Sequence, residues 1–155
     1  MTKNTAVTEA LDALEIPYRL HIHQNPLRSL EQAAQERGLE PTQIVRSLLF
    51  RCEHETYVLV LIAGSKKVNW TKLRRHLGVS RITTATPEQV LEITGYPPGT
   101  VSPFGLASPL RILADHGITD HEEISLGAGI PNAGILLARD DLLKALNLEM
   151  GDFVD

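Results

Sequence analysis

The chain reads VRSLLFRC over Val45–Cys52, EHET over residues 53–56 and YVLVLIA over Tyr57–Ala63. The two outer runs are apolar and partly β-branched, whereas the four residues between them are polar. Two such runs joined by a short polar link are typical of a β-hairpin. We therefore expect this hairpin to lie near the middle of a sheet and to form the centre of the core.

The segment before the hairpin predicts two helices with a strand between them. Apolar residues recur at helical spacing over residues 6–14, and a proline then ends that helix, so residues 18–23 can form an extended strand. Ser29 and Gln32 have the spacing of a capping box, in which Gln32 reaches back to the Ser29 amide, and Gly38 supplies the C-terminal stop. A short second helix is expected between them.

The segment after the hairpin predicts a further alternation of helices and strands. Asn69 caps a helix over residues 70–77 that ends at Gly78, and Thr86 opens a second capped helix that ends at Gly95. The first of these helices is expected to bury a stripe of Trp70, Leu73 and Leu77. Short strands are expected over residues 81–84, 110–114, 123–126 and 134–138, and a last helix over residues 141–146.

This order of elements indicates the fold class. Helices and strands alternate without the regular spacing of βαβ units, which argues against a doubly wound parallel sheet. A chain of 155 residues is long enough for one domain with its own core and short for two. We expect an α+β fold with a single domain over residues 1–155, in which a strongly curved, barrel-like mixed sheet is surrounded by helices.

Composition predicts a soluble cytoplasmic protein. Hydrophobic residues make up 43% and charged residues 22%, and no apolar run approaches the length of a membrane span. The N-terminus lacks the apolar core of a secretory signal, and the single cysteine, Cys52, cannot form an internal disulfide. Because Cys52 lies in an apolar run without a nearby activating partner, we expect a buried structural thiol rather than a nucleophile.

The net charge is −4, but the basic residues are segregated. No acidic residue lies between Glu55 and Glu88. A basic face of this kind suits a phosphate-bearing partner, and an ordinary solvated helix would give the same pattern, so both interpretations stay open. The basic residues concerned are Lys66, Lys67, Lys72, Arg74, Arg75 and Arg81.

A loop rich in glycine and proline follows the capped helix that ends at Gly95. Residues 94–106 read TGYPPGTVSPFGL, with three glycines and three prolines. Glycine lets a ligand approach the main chain, and proline fixes the remainder, so such a segment can hold backbone N–H groups in a set geometry. A tight connection between two elements is the alternative.

Five segments in register resemble the YbaK/prolyl-tRNA synthetase-associated domains, which edit mischarged aminoacyl-tRNA. The segments cover about a hundred residues and agree in order and spacing. They are Ile44 to Phe50; Val68 to Leu73 with Leu77-Gly78; Thr94-Gly95-Tyr96 with Gly99 and Ser102 to Gly105; Asp115; and Gly127-Ala128-Gly129.

The resemblance implies a chemistry and a site. Members cleave the ester between a wrong amino acid and the terminal ribose of a tRNA, and backbone amides of the glycine loop hold the carbonyl. It implies catalytic roles for Gly99, whose N–H would face the carbonyl oxygen, and for Arg46, and tRNA contacts for the six basic residues above. The implied substrate-binding residues are His23, Ser47, Thr100, Ser102, Pro103, Phe104, Gly127, Ala128, Gly129 and Gly134.

The chain departs from the family pattern at several of these positions. Arg46 stands where most members have a lysine that is usually linked to activity. Arginine keeps the positive charge, but a planar guanidinium is not equivalent to an ammonium at a tight site. His23 lies where cysteine-specific members have a tyrosine, and Gly127 and Gly134 fall where they tend to carry serine and aspartate. We therefore expect a substrate other than cysteinyl-tRNA, with room at the glycines for a larger or less polar side chain.

The resemblance implies no metal or organic cofactor. His21 and His23 form an H-x-H pair that would face one side of a strand, as in some zinc sites. No Cys, Asp or Glu lies close by in ligand-like spacing, so we expect no metal there.

Two functions remain open from the sequence. The first is a free-standing trans-editing deacylase, an aminoacyl-tRNA hydrolase whose partners are the acceptor end of a mischarged tRNA and, in some settings, a synthetase. The second is a catalytically impaired module of the same fold that binds tRNA, an amino acid or an aminoacyl-adenylate. The substitution Arg46→Lys should raise turnover in an impaired catalyst and change nothing where hydrolysis is absent.

Overall fold

The hairpin forms as the sequence predicts and lies inside a mixed sheet. Its strands are β2 (Val45–Cys52) and β3 (Tyr57–Ala63), which pair antiparallel from Val45↔Ala63 to Arg51↔Tyr57. Strand β3 also pairs in parallel with β5 (Arg111–Asp115). Because β3 has neighbours on both sides and is covered on both faces, six of its seven residues are buried.

The computed structural model describes residues 4–155. The helices within this range are α1 (Ala6–Ala13), α2 (Leu30–Arg37), α3 (Trp70–Leu77), α4 (Pro87–Thr94) and α5 (Arg139–Ala145). The remaining strands are β1 (Tyr18–Ile22), β4 (Ile82–Thr84), β6 (Glu123–Gly127), β7 (Ala133–Ala138) and β8 (Leu148–Gly151). In this part of the chain, no helix is long and apolar enough to cross a membrane.

The strands form two sheets that share one core. The five-stranded sheet has the order β4-β2-β3-β5-β8 and is mixed, and the three-stranded sheet has the order β1-β7-β6 and is antiparallel. A single parallel bridge between Ile44 and Ser125 connects them. The predicted α+β class is confirmed, but the strands are divided between two linked sheets rather than forming one curved sheet. Both sheets contribute to the main apolar cluster, for example Leu61 from β3 and Ile124 from β6.

The predicted helix ends are confirmed where the signal is local. Asn69 accepts a hydrogen bond from the Lys72 amide, and Gly78 is left-handed at the end of α3. Thr86 and Gln89 form the reciprocal capping box of α4. At α2, Ser29 caps the helix as expected. The Gln32 side chain, however, accepts a hydrogen bond from the amide of Arg28, one residue before the expected donor Ser29.

One expectation about burial is wrong. Trp70 does not belong to a buried stripe of α3 but is 38% exposed, because it is the first helical residue and lies at the edge of a cleft; Leu73 alone is fully buried. Phe153 and Val154, which follow β8, are buried. They pack onto the core because the Phe153 amide donates to the buried Asp115 carboxylate at 2.8 Å.

Candidate active site

Two clefts meet on the side of the molecule that carries the glycine-proline loop. The wide cleft has a volume of about 840 Å³ and lies between β2, the start of α3 and the loop. The narrow cleft has a volume of about 440 Å³ and lies between β2, α2 and the end of β6. Both are lined by Arg46, Ser47 and Gly99, which we call the junction.

Gly99 presents open main chain at the junction. The Thr100 amide donates to the Pro97 carbonyl at 3.1 Å, with Pro98 and Gly99 as the central residues of the turn and a Gly99 φ of +83°. This is the arrangement of a type II turn, in which the third residue needs a positive φ. Gly99 is exposed, and no atom lies within 4 Å of the place where its Cβ would be. A ligand can therefore reach the Gly99 backbone directly.

The segment Gly127-Ala128-Gly129 holds this loop in place. The Gly129 amide donates to the Thr100 carbonyl at 2.9 Å. A Cβ on Gly127 would collide with the carbonyl oxygen of Val101, so glycine is needed for the close approach of the two chains. Ala128 is fully buried, and of the three only Gly127 lines a cleft. Gly127-Ala128-Gly129 therefore packs behind the glycine-proline loop and holds it in place.

Eight of the ten predicted substrate-binding residues line neither cleft, and four of the eight belong to the loop itself. Thr100, Ser102, Pro103 and Phe104 are buried. The Ser102 hydroxyl accepts from the Phe104 amide at 3.1 Å, and the Phe104 carbonyl accepts from the Tyr96 hydroxyl at 2.6 Å. Burial raises the pKa of Tyr96 to about 12, which keeps that hydroxyl a donor. The expectation of substrate contact is therefore corrected for these four residues, which shape the loop from inside.

The Arg46 guanidinium anchors the loop that connects β3 to α3. Its Nε donates to the Gly64 carbonyl at 2.6 Å, and a terminal nitrogen donates to the Lys66 carbonyl. Partial burial lowers the pKa of Arg46 from its ordinary value, and the group stays a cation because guanidinium groups in proteins are effectively always protonated. Arg46 thus supplies positive charge to the junction while two of its donors are already engaged.

Ser47 carries the one buried side-chain polar atom without a protein partner in the part of the chain that the structure describes. Ser47 follows Arg46 in β2 and lines both clefts. Because buried hydroxyls are nearly always paired, an unpaired one in a cleft marks a place where a ligand or a water completes the hydrogen bond.

His23 belongs to a polar network behind the narrow cleft. Its Nδ1 lies 2.8 Å from a Glu36 carboxylate oxygen, and the Arg37 Nε donates to its Nε2 at 3.0 Å. With Nε2 as the acceptor, Nδ1 is the ring nitrogen that faces the Glu36 carboxylate. Arg37 also donates to the Ser125 hydroxyl at 2.9 Å. His23 is buried and lines neither cleft, so its expected substrate contact is corrected.

Arg37 also fills the space beside Gly134. A Cβ on Gly134 would collide with the centre of the Arg37 guanidinium, and Gly134 lines neither cleft. The expected room for a substrate side chain at Gly127 and Gly134 is therefore wrong, because the chain's own atoms occupy both places. Sequence reasoning missed Arg37, which lines the narrow cleft.

The histidine pair is as close as predicted. The rings of His21 and His23 lie edge to face with their centres 4.5 Å apart. Within residues 4–155, no three His, Cys, Asp or Glu side chains are arranged to hold a metal ion.

The predicted basic residues do not form one face. Lys66 and Lys67 are exposed on the loop before α3, and Lys67 lines the wide cleft. Lys72 is engaged with the Asp152 carboxylate and the Val154 carbonyl, both at 2.8 Å. Arg81 lies in a separate cleft with residues 51–55. Arg74 and Arg75, on α3, line neither the wide nor the narrow cleft.

The chain is similar to known proteins over most of its length. The profile of the aminoacyl-tRNA editing domain matches residues 24–145. A proline-tRNA ligase of Kosmotoga olearia is 33% identical over 135 residues, 85% of this chain and 22% of the ligase. A proline-tRNA ligase of Thermosipho melanesiensis is 38% identical over 97 residues, 63% of this chain and 17% of that ligase. The chain thus spans about a fifth of the length of these curated relatives.

A solved structure shares the whole fold. The crystal structure of a candidate trans-editing enzyme for prolyl tRNA synthetase is 29% identical, with a TM-score of 0.88 over 97% of this chain and 95% of that one. This structural match over nearly the whole chain confirms the α+β fold class. The profile match confirms the resemblance to aminoacyl-tRNA editing domains. The chain belongs to the aminoacyl-tRNA editing domain family.

Proposed function

We propose that this protein is a free-standing trans-editing deacylase, which hydrolyses the ester of a mischarged tRNA. The observation that carries the proposal is the junction, where Arg46, Ser47 with its unpaired hydroxyl, and Gly99 with its open main chain line the same two clefts. The solved candidate trans-editing enzyme, which matches over 95% of its own length, supports a free-standing form.

The reaction needs a nucleophile, a place for the developing negative charge and a leaving group. Water adds to the ester carbonyl, and the carbonyl oxygen becomes an oxyanion that accepts from the Gly99 N–H. Such a donor typically contributes about 3 kcal/mol to the transition state. The tetrahedral state then collapses, the bond to the ribose oxygen breaks, and that oxygen takes the proton lost by water. The products are the free amino acid and the uncharged tRNA.

Ser47 and Arg46 have different roles in this proposal. The Ser47 hydroxyl is free to hydrogen-bond to the attacking water or to the neighbouring ribose hydroxyl, since no protein group occupies it. Arg46 fixes the loop from Gly64 to Lys66 and places a positive charge near the ester. Because an amino-acid ester is already activated, positioning and charge stabilisation are sufficient without a protein nucleophile.

The tRNA is held by basic residues at the rim of the wide cleft. Lys66 and Lys67 are the members of the predicted set that lie on the loop anchored by Arg46. Lys72 contributes less, because Asp152 neutralises it. The similarity to proline-tRNA ligases favours a proline tRNA as the carrier and the corresponding synthetase as the source of the error.

A second candidate is a binding module without catalysis. It is favoured by one observation, the engagement of Arg46 with two backbone carbonyls, which leaves fewer of its N–H groups for a substrate. Such a module would hold the tRNA end or an aminoacyl-adenylate in the same clefts.

Deacylation of a defined panel separates the two candidates. Proline tRNA would be charged in turn with alanine, serine, threonine, cysteine and proline and incubated with the protein and with its Arg46→Ala and Arg46→Lys variants. Hydrolysis of one mischarged species, reduced at least tenfold in Arg46→Ala, supports the deacylase. Binding of every species without hydrolysis by any of the three proteins supports the binding module. Lys144→Ala, an exposed cation on α5 that lines neither cleft, serves as the control for loss of a cation away from the site.

A further inference from the structure

We propose that the wide cleft binds the terminal nucleobase of the tRNA against Trp70, which leaves the narrow cleft for the side chain of the amino acid. This division rests on the proposed deacylase, because the ester would lie at the junction. It assigns a binding function to a residue that the sequence predicts to be core.

Trp70 has the features of a stacking surface. It is the first residue of α3, lines the wide cleft and is 38% exposed, which is unusual for the largest apolar side chain. Its ring meets the buried Phe50 ring edge to face, with centres 5.3 Å apart and planes at 88°. The indole is therefore held in one orientation while part of it stays open to the cleft. Aromatic faces of this kind bind unpaired bases by stacking.

The surroundings of Trp70 suit a nucleotide rather than an apolar peptide. Pro87, Val90 and Pro98 add apolar walls, and Lys67 adds a cation that can meet a phosphate. The lining contains one carboxylate among the described residues, Asp155, and its oxygen accepts from the Asn69 side chain at 3.2 Å. A base has two apolar faces and lies next to a phosphate, so it matches an aromatic wall beside a lysine.

The geometry of the two clefts then fixes where the amino acid lies. The clefts share the junction, and an aminoacyl ester joins a ribose on one side to an amino acid on the other. The wide cleft has about twice the volume of the narrow one, as a base and ribose require compared with a small side chain. The narrow cleft is walled mainly by aliphatic residues, including Leu30, Ala33 and Leu126.

The only tryptophan of the chain makes this testable by intrinsic fluorescence. Adenosine monophosphate would be titrated into the full chain, with cytidine monophosphate and ribose 5-phosphate as comparators. We expect saturable quenching by the nucleotides and none by ribose 5-phosphate.

Calorimetry on variants of Trp70 tests the same site without the fluorophore. Trp70→Ala should weaken nucleotide binding about tenfold, the size expected for one stacked base, and Trp70→Phe should retain part of the binding. Leu91→Ala, an exposed apolar residue outside both clefts, should leave binding unchanged.

A second variant tests the division of the clefts. Ala33 lines the narrow cleft, so Ala33→Leu reduces the volume of that cleft. We expect this variant to hydrolyse the aminoacyl ester more slowly, with a nucleotide affinity within twofold of the parent. Loss of nucleotide binding in Ala33→Leu with retention in Trp70→Ala would reverse the assignment and overturn the proposal. Equal nucleotide affinity in Trp70→Ala and the parent would also overturn it, even where deacylation proceeds. Conversely, nucleotide binding at Trp70 without hydrolysis of any mischarged tRNA would leave the base site standing and remove the deacylase.

Discussion

At the scale of single residues, the junction combines groups of two kinds. Arg46 is engaged with backbone carbonyls, whereas the Ser47 hydroxyl has no protein partner and the Gly99 backbone is open. A group already paired inside the protein contributes to stability, and an unpaired group at a cleft contributes to binding. Ser47 and Ser125, whose hydroxyls are respectively unpaired and paired, make this distinction measurable.

Ser47→Ala should leave stability nearly unchanged and reduce activity. The change removes an unpaired hydroxyl, so we expect the free energy of unfolding to stay within about 0.5 kcal/mol and kcat/KM for the mischarged tRNA to fall about tenfold, the worth of one lost hydrogen bond. Ser125→Ala is the matched comparison, because it deprives the partly buried Arg37 of an acceptor and should cost about 1–3 kcal/mol. Urea denaturation and deacylation rates measure both. Equal destabilisation by the two changes would contradict the distinction.

The sequence predicts the junction well and the network behind it poorly. Gly99, Arg46 and Ser47 lie in segments whose residue types carry the family pattern. Arg37 lies at the end of a capped helix, where a basic residue is ordinary, and its partners His23, Ser125 and Ala133 are 14, 88 and 96 residues away. Such long-range pairing leaves no local signal, so its effect on Gly134 could not be foreseen.

At the scale of elements, α2 forms a wall of the narrow cleft with little apolar anchoring. Only Ala33 and Ala34 of the helix are buried, and Arg37 ties its end to β6, to β7 and to His23, which follows β1. The Arg37 guanidinium, together with the contact of Glu36 with His23, therefore helps to fix the position of the wall.

Replacing that guanidinium should loosen α2. Arg37→Met keeps the length of the side chain but leaves His23 Nε2 and the Ser125 hydroxyl without their donor, so we expect a loss of about 1–3 kcal/mol in the free energy of unfolding and faster amide exchange in α2. Arg28→Met, exposed just before the same helix, should change neither. Hydrogen exchange that rises uniformly across the molecule, rather than in α2, would argue against this role.

An ion pair joins the two strands at the edge of the large sheet. Arg111 of β5 donates two hydrogen bonds to Glu149 of β8, at 2.5 and 2.7 Å, and His76 lies 3.1 Å from the same carboxylate. These hydrogen bonds, that of Arg111 foremost, lower the pKa of Glu149 from 4.5 to about 2. A carboxyl whose pKa is lower in the folded state stabilises the fold above pH 4.5, and this stabilisation is lost as the pH falls toward 2.

Glu149→Gln should therefore destabilise the protein in a pH-dependent way. The difference in unfolding free energy from the parent should be largest above pH 4.5 and should shrink as the pH falls toward 2. Because Glu149 is 37% exposed, solvent screens the pair and the difference should be modest. Urea denaturation across this pH range measures it, with Glu122→Gln as the exposed control. A difference that does not vary with pH would exclude the ion pair as its source.

Local signals predict most elements of this fold, and long-range pairing accounts for the rest. The caps of α3 and α4 and the hairpin were readable because each depends on residues a few positions apart. Strand β8 was missed because its four residues are only half-buried and its partner strand β5 begins 37 residues earlier in the chain. The division of the strands into two sheets has the same cause.

At the scale of the whole molecule, a net charge of −4 coexists with a basic rim at the wide cleft. Association with tRNA should then depend on a few local cations rather than on overall charge. Lys66 and Lys67 are the ones next to the junction.

The double variant Lys66→Gln with Lys67→Gln should bind tRNA with a shallower salt dependence. Each lost phosphate contact to a single strand reduces the slope of log K against log salt by about 0.7. Filter binding at several salt concentrations gives the slope, and Lys144→Gln on α5, outside both clefts, is the control. An unchanged slope would place the tRNA elsewhere on the surface.

The measurement that tests the central claim most directly is single-turnover deacylation of mischarged proline tRNA by Gly99→Ala, compared with Gly38→Ala. Both glycines have a positive φ, at +83° and +73°, and no atom within 4 Å of the added methyl group, so both changes should cost about 1 kcal/mol of stability. Only Gly99 lies at the junction, where the methyl group would enter both clefts. The proposed function predicts that Gly99→Ala lowers the rate at least a hundredfold while Gly38→Ala keeps it within twofold. Equal rates in the two variants would contradict the claim that the Gly99 backbone organises the reaction.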